Sequence, residues 1–145
     1  MRNNIFFADD IVGLECIVYL IENKPDEIHS IIVTDEGSTV YKKLLEINYD
    51  GSKIIFNRDF LKNSFEDIDY IFLLWWPYII GEKTIKIPKF GVINTHPSLL
   101  PHNRGKNFNF WNLVEDVPFG VSLHFVGEKI DGGDIIFQNK ILKSW

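Results

Sequence analysis

The sequence predicts an α/β domain, a mostly parallel sheet with helices on both faces. Two observations predict it. Apolar or β-branched segments of strand length alternate along the chain with segments of helical spacing, and the clearest of the strands, residues 70–75, is apolar throughout. Such alternation builds parallel strands joined by crossover helices, and a strand apolar on both sides needs cover on both sides. Residues 5–8 form the first strand, leading into Asp9-Asp10; Ile11, Leu14, Cys16, Ile17, Val18 and Ile21 then recur at roughly helical spacing. Residues 27–34 are β-branched and apolar, 38–47 are helical with Ser38 as N-cap, and 53–56 make a brief strand. A short helix is expected over 58–65, followed by the strand 70–75. Another strand over 91–95 delivers Asn94 and His96 at its carboxyl end, where open α/β sheets bind ligands. Beyond the loop 97–106, a helix is expected over 107–115, and strands over 121–126 and 135–141 flank the loop that carries Asp131.

With 145 residues and no repeat, low-complexity tract or linker, the expectation is one domain. No apolar run approaches the roughly 20 residues that cross a bilayer, and acid at Asp9 comes too early for a signal peptide, so a cytoplasmic protein without membrane contact is expected. The net charge of −5 argues against broad contact with nucleic acid, which clustered cations drive. Cys16, the single cysteine, cannot form an internal disulfide and reads as a buried, inert thiol. No metal is expected, since the histidines fall in no metal-ligand spacing.

The chemistry concentrates in three side chains. Asn94 and His96 are one residue apart, so an extended strand presents both on one face. Asp131 follows in Ile130-Asp131-Gly132-Gly133-Asp134. An amide, an imidazole and a carboxylate can carry acyl transfer to an amine. Asn94 would donate to the oxyanion, His96 would accept the ammonium proton, and Asp131 would orient the imidazole and stabilise its charged form. Each residue alone also has a plain reading, Asn94 and His96 as a turn-capping pair and Asp131 as an acidic turn; their company favours function. Asp134 is expected to hold its loop through nearby backbone amides or to support Asp131. His124, on the same strand face as Ser122 and Val126, reads as a satisfied core histidine or as a support of the trio. His102 is expected to be exposed.

Three ordered motifs carry a family resemblance: Gly91-Val92-Ile93-Asn94-Thr95-His96-Pro97-Ser98-Leu99-Leu100-Pro101, Gly120-Val121-Ser122-Leu123-His124-Phe125-Val126, and Ile130-Asp131-Gly132-Gly133-Asp134-Ile135-Ile136. The chain resembles the folate-dependent formyltransferases, which include glycinamide ribonucleotide transformylase, methionyl-tRNA formyltransferase and the sugar N-formyltransferases. The resemblance implies a Rossmann-like catalytic domain, Asn94, His96 and Asp131 as catalytic residues, and 10-formyltetrahydrofolate as formyl donor. Trp76, Pro77, Tyr78, Ile79 and Ile80 resemble the folate-binding loop of the sugar enzymes, with Gly132 and Gly133 expected to line the same slot; a packed turn is the plainer alternative. Asn103, Arg104, Gly105, Lys106, Phe110 and Trp111 resemble the sugar-nucleotide loop of those enzymes, with cations for a diphosphate, amides for hydroxyls and a ring to stack on a base.

After the first strand stands Ala8-Asp9-Asp10, where the ribonucleotide enzymes carry a glycine-rich phosphate loop. The resemblance therefore implies a nucleotide-linked amino sugar as acceptor, of the dTDP-4-amino-4,6-dideoxyhexose type used in lipopolysaccharide O-antigen. The alternatives are another acceptor within the family, methionyl-tRNA or glycinamide ribonucleotide, or a ligand-binding domain without turnover. Family members generally continue beyond the last strand, so missing C-terminal elements are expected here, with self-association as a homodimer through the final strands and Trp145.

Overall fold

Residues 2–107, 110–111, 114–115 and 117–141 are described by a computed structural model. They fall into two units, Met1–Val92 and Ile93–Trp145. In the first, β1 (Asn4–Ala8), β2 (Ile28–Val33), β3 (Ile54–Phe56) and β4 (Tyr70–Leu74) lie in the order β3-β2-β1-β4. The pairings β1–β2, β1–β4 and β2–β3 are all parallel. The chain winds outward from β1 to β3 and returns to the far side of β1.

Every residue of β1 is buried, as a central parallel strand requires. Alternation sends Phe6 and Ala8 to one face, where α1 (Asp10–Asn23) and α2 (Thr39–Glu46) cover them with Ile17, Val40 and Leu44. Phe7 points the other way, edge-on to Phe60 at 4.8 Å and to Trp76 at 5.0 Å. Ser38 is the N-cap of α2, its hydroxyl accepting from Tyr41 N at 3.4 Å. Cys16 is half-buried, and burial, with the neighbouring Glu15 charge, pushes its thiol pKa up.

Two short helices differ from expectation. The helix expected over 58–65 is a single turn, α3 (Asn57–Phe60). Its last carbonyls are taken at once by i→i−3 bonds, Lys62 N to Asp59 O and Asn63 N to Phe60 O, while Phe60 is drawn into an aromatic stack with Phe65. The sequence did not announce the second, α4 (Glu82–Ile85).

The second unit is built on antiparallel pairs. Strand β5 (Gly91–His96) ends in it and pairs with β6 (Phe119–Phe125), which pairs in turn with β7 (Ile135–Ile141). The β5–β6 register sets Asn94 opposite His124 and His96 opposite Ser122. Of the helix expected over 107–115, the described residues keep two helical bonds, Trp111 N to Asn107 O and Glu115 N to Trp111 O. Ile135, Ile136 and Phe137 of β7 are exposed; Trp145, expected to take part in self-association, lies outside the described residues. The α/β class read from the sequence holds, with antiparallel pairing confined to β5, β6 and β7. Among the described residues no helix is long and apolar enough to cross a membrane.

Packing makes one glycine indispensable in the first unit. A Cβ on Gly13 of α1 would lie 2.7 Å from the Leu74 carbonyl oxygen, a backbone atom that cannot step aside. Although alanine is the better helix former, Gly13→Ala is expected to destabilise the fold by roughly 1–3 kcal/mol, the usual range for overpacking. Urea unfolding measures this, and an unchanged midpoint would show that α1 and β4 can separate without loss.

Candidate active site

Strand β5 presents Asn94 and His96 on one face, and the antiparallel register brings His124 alongside. The fourth group, Asp131, arrives on the connection between β6 and β7. That connection is closed by Phe125 N donating to Asp134 O at 2.9 Å and tightened by Gly132 N donating to Lys129 O at 3.1 Å. Asp131 itself takes a left-handed backbone, φ 47°, a conformation that aspartate tolerates better than most residues. A Cβ on Gly133 would fall 1.9 Å from the Phe125 carbonyl oxygen. The glycine is thus required by close approach to the protein's own backbone.

Asp131 is only 12% exposed, and its two oxygens are shared among four neighbours. Oδ2 accepts from the Gly105 amide at 2.8 Å and lies 3.5 Å from His96 Nδ1. Oδ1 accepts from Asn94 Nδ2 at 3.4 Å and lies 3.5 Å from His124 Nε2. Burial alone would raise the carboxyl pKa; the His124 contact, the Gly105 amide and the charges of His96 and His124 outweigh it and hold the group at about 2. Asp131 is therefore an anion throughout the working range of pH.

This anion orders the groups around it. Reversing the Asn94 amide would turn its carbonyl oxygen toward a carboxylate that can only accept, so Nδ2 faces Asp131. The second Nδ2 contact is His124 Nε2, at 3.2 Å. His124 Nδ1 donates to the Phe125 carbonyl at 2.9 Å, which makes Nε2 the accepting nitrogen of the neutral ring. In His96 the assignment is reversed. Nε2 donates to the Asn103 carbonyl at 2.8 Å, so the nitrogen that takes up a proton is Nδ1, which faces Asp131. A proton gained there would convert a loose 3.5 Å contact into a charge-assisted bond. The arrangement suits a general base whose charged form is stabilised in place.

The structure brings together Asn94, His96, Asp131 and His124, with His124 a satisfied buried histidine that also touches the trio. Asn103 and Gly105 join them through main-chain groups, the Asn103 carbonyl and the Gly105 amide. Arg104 and Lys106 are exposed, as are the rings of Phe110 and Trp111, which meet edge-on at 5.2 Å. Asp134 is exposed and contributes its carbonyl to the loop closure. In the first unit, Trp76 stands edge-on to Tyr78 at 5.7 Å; Pro77, Tyr78 and Ile79 are exposed and Ile80 is half-buried. Trp75, the last residue of the strand expected over 70–75, is half-buried in a left-handed conformation just past β4. Sequence reasoning passed over Ser98 and Gln138 and saw Ser122 only as a neighbour of His124, although a glutamine after Ile135-Ile136-Phe137 was a visible signal. Among the described residues no group of three or more His, Cys, Asp and Glu side chains could hold a metal ion.

The low carboxyl pKa makes stability depend on pH in a defined direction. A folded pKa of about 2 lies below the unfolded value of about 3.9, so the stabilisation is present above the unfolded pKa and is lost as pH falls through the folded one. The melting-temperature gap between wild type and Asp131→Asn should be constant near neutrality and shrink between about pH 4 and pH 2. A gap of constant size down to pH 2 would show that the charge is not what stabilises the loop.

With this geometry in view, the likeness to known proteins is informative. Residues 60–142, more than half of the chain and including all four side chains of the cluster, match the family model described as Formyl transferase. A methionyl-tRNA formyltransferase of Prochlorococcus marinus (strain MIT 9312) is 33% identical over 152 aligned positions, covering 94% of this chain and 46% of that protein. Two solved structures share the fold at low identity. Phosphoribosylglycinamide formyltransferase from Bacillus halodurans has a TM-score of 0.76 at 20% identity, over 99% of this chain and 81% of its own. The formyltransferase PseJ from Anoxybacillus kamchatkensis, in complex with UDP-4,6-dideoxy-4-formamido-L-AltNAc and tetrahydrofolate, has a TM-score of 0.57 at 22% identity, over 98% of this chain and 61% of its own. The chain spans about half the length, or less, of the curated relatives it matches. On the family match, which contains Asn94, His96, His124 and Asp131, the chain belongs to the formyl transferase family.

Proposed function

We propose that this chain carries the catalytic centre of a folate-dependent N-formyltransferase, acting on a nucleotide-linked amino sugar of the dTDP-4-amino-4,6-dideoxyhexose type. The observation that carries the reading is the convergence of Asn94, His96 and Asp131 on one face, with the proton-accepting nitrogen of His96 turned to an anion. The donor 10-formyltetrahydrofolate supplies the formyl group. The residues present fit its chemistry: an amide donor for the oxyanion and a base for the amine stand within one cluster. A bond forms between the acceptor amine and the formyl carbon, and the bond from that carbon to the folate nitrogen breaks. His96 takes the ammonium proton at Nδ1 and returns it to the departing folate nitrogen. Asn94 Nδ2, whose contacts of 3.2 and 3.4 Å are long, exchanges one of them for a stronger bond to the oxyanion. Trp76, Pro77, Tyr78, Ile79 and Ile80, with Gly132 and Gly133, are the proposed donor contacts.

The sugar acceptor is supported by the exposed cations Arg104 and Lys106 and, a few positions on in the sequence, the exposed rings of Phe110 and Trp111, residue types suited to a diphosphate and a base. A ribonucleotide acceptor is disfavoured, because a hollow of about 400 Å³ at the carboxyl ends of β1 and β2 is lined by Asp9, Asp10 and Asp35, which repel phosphate. A second reading, methionyl-tRNA as acceptor, is favoured by the 33% identity to the Prochlorococcus protein. Incubating the protein with the formyl donor and, separately, a panel of nucleotide-linked amino sugars, methionyl-tRNA and glycinamide ribonucleotide, followed by mass analysis, tests the choice. A formyl group on the sugar alone is expected; one on methionyl-tRNA alone would replace this reading with the second.

Two further outcomes are expected. His96→Asn and Asp131→Asn should fold and lose roughly 10²–10⁴-fold in kcat, the usual contribution of a positioned acid or base; near-wild-type turnover by both would refute the catalytic assignment. A stable folate analogue should raise the melting temperature in proportion to the logarithm of its concentration, because it binds only the native state. No shift at saturation would remove the donor from the proposal.

A further inference from the structure

Ser122, opposite His96 on β6 and 1% exposed, makes three hydrogen bonds with one hydroxyl. Oγ donates to the Ser98 carbonyl at 2.7 Å, accepts from Leu100 N at 3.0 Å and accepts from Gln138 Nε2 at 2.8 Å. Gln138, opposite Ser122 on β7, gives another amide hydrogen to the Leu100 carbonyl at 2.9 Å. These two side chains grip the main chain on both sides of Leu99. From there the loop closes on itself, Ser98 Oγ donating to the His102 carbonyl at 2.6 Å, and the next carbonyl, that of Asn103, receives His96 Nε2 at 2.8 Å.

A neutral imidazole has one N–H, and the acceptors facing its two nitrogens decide where it sits. Around His96 they compete: the Asn103 carbonyl faces Nε2 at 2.8 Å and the Asp131 carboxylate faces Nδ1 at 3.5 Å. A carboxylate is the stronger acceptor. If the Asn103 carbonyl withdrew, the hydrogen would pass to Nδ1, and the nitrogen facing the anion would no longer be a base. The Asn103 carbonyl stays in place because the loop beneath it is clamped. We infer that Ser122 and Gln138 are positioning residues, which by clamping residues 98–100 keep the hydrogen of His96 on Nε2 and reserve Nδ1 for the proton released in transfer. This rests on the formyl-transfer reading above for its consequence in turnover, and on the hydrogen-bond geometry alone for its consequence in the tautomer.

The test uses Gln138→Leu, Ser122→Ala and the hydroxyl-preserving Ser122→Thr in the purified protein. Nitrogen-15 NMR of His96 at neutral pH reads the tautomer without turnover, and steady-state kinetics reads kcat and KM. Wild type and Ser122→Thr should show the Nε2–H form. Gln138→Leu and Ser122→Ala should shift toward the Nδ1–H form and lose about 10- to 100-fold in kcat, the scale of a small misplacement, with KM for the donor unchanged. Should Ser122→Ala fail to fold, Gln138→Leu, at an exposed position, decides. Persistence of the Nε2–H form in folded Gln138→Leu overturns the inference, and so does a shifted tautomer with unchanged kcat. If wild type formylates no acceptor while the tautomer moves as expected, the function reading fails and the clamp stands.

Discussion

A carboxylate that is nearly out of reach of water has to be supplied with donors, and the second unit is organised around that requirement. Asp131 accepts hydrogens from the Asn94 amide and the Gly105 main chain, and His96 Nδ1 and His124 Nε2 stand 3.5 Å away, donating to it only when their rings are protonated. Three of the four come from paired strands, whose register cannot slip by one residue without turning Asn94, His96 and His124 to the opposite face. The fourth comes from a loop, and the segment leading into that loop is held by a separate set of bonds through Ser98, Ser122 and Gln138. The same anion dictates which way the Asn94 amide points.

Several conformations needed for this arrangement are intrinsically unfavourable. Asn103, Gly105, Asn107 and Asp131 all have positive φ, from 47° to 78°. Asparagine, aspartate and glycine bear this at least cost, which is why those residue types stand there. Trp75 in the first unit, with φ 57°, has no such excuse, and an aromatic residue in that region is strained by about 1–3 kcal/mol. It directly follows Leu74, whose carbonyl accepts from Asp9 N at 3.3 Å, so the chain leaves β4 sharply just where β1 gives way to α1.

Side chains with their own chemistry were legible in the sequence, and main-chain groups were not. The strands β1, β2, β4 and β5 could be read from apolar runs, because burial leaves a pattern; β7, exposed along its whole length, was read to the residue from its β-branched and apolar residue types. Asn94, His96 and Asp131 announced themselves by type and by the glycines and prolines around them. The length of α3 was misread because its ending depends on where Phe60 packs, which no local pattern carries. The Asn103 carbonyl and the Gly105 amide were invisible for a different reason: every residue has a carbonyl, and nothing in a side chain says where it will point. Gly133 was read for its closeness to a ligand; the further constraint on it, that a Cβ there would strike the Phe125 carbonyl, left no mark in the sequence.

Because the Asn103 and Gly105 contacts to the cluster are made by backbone atoms, they depend on the residue types at those positions only through the positive φ that each adopts. A substitution at 103 or 105 that keeps the local fold leaves the wiring of His96 and Asp131 intact, and Arg104 and Lys106 project from the same stretch without touching it. The loop therefore separates two roles: its main chain holds His96 and Asp131, while its outward-facing residues are not tied to that cluster. Point mutations at Arg104 and Lys106 can therefore change the charge that this surface presents while the buried cluster beneath keeps its geometry.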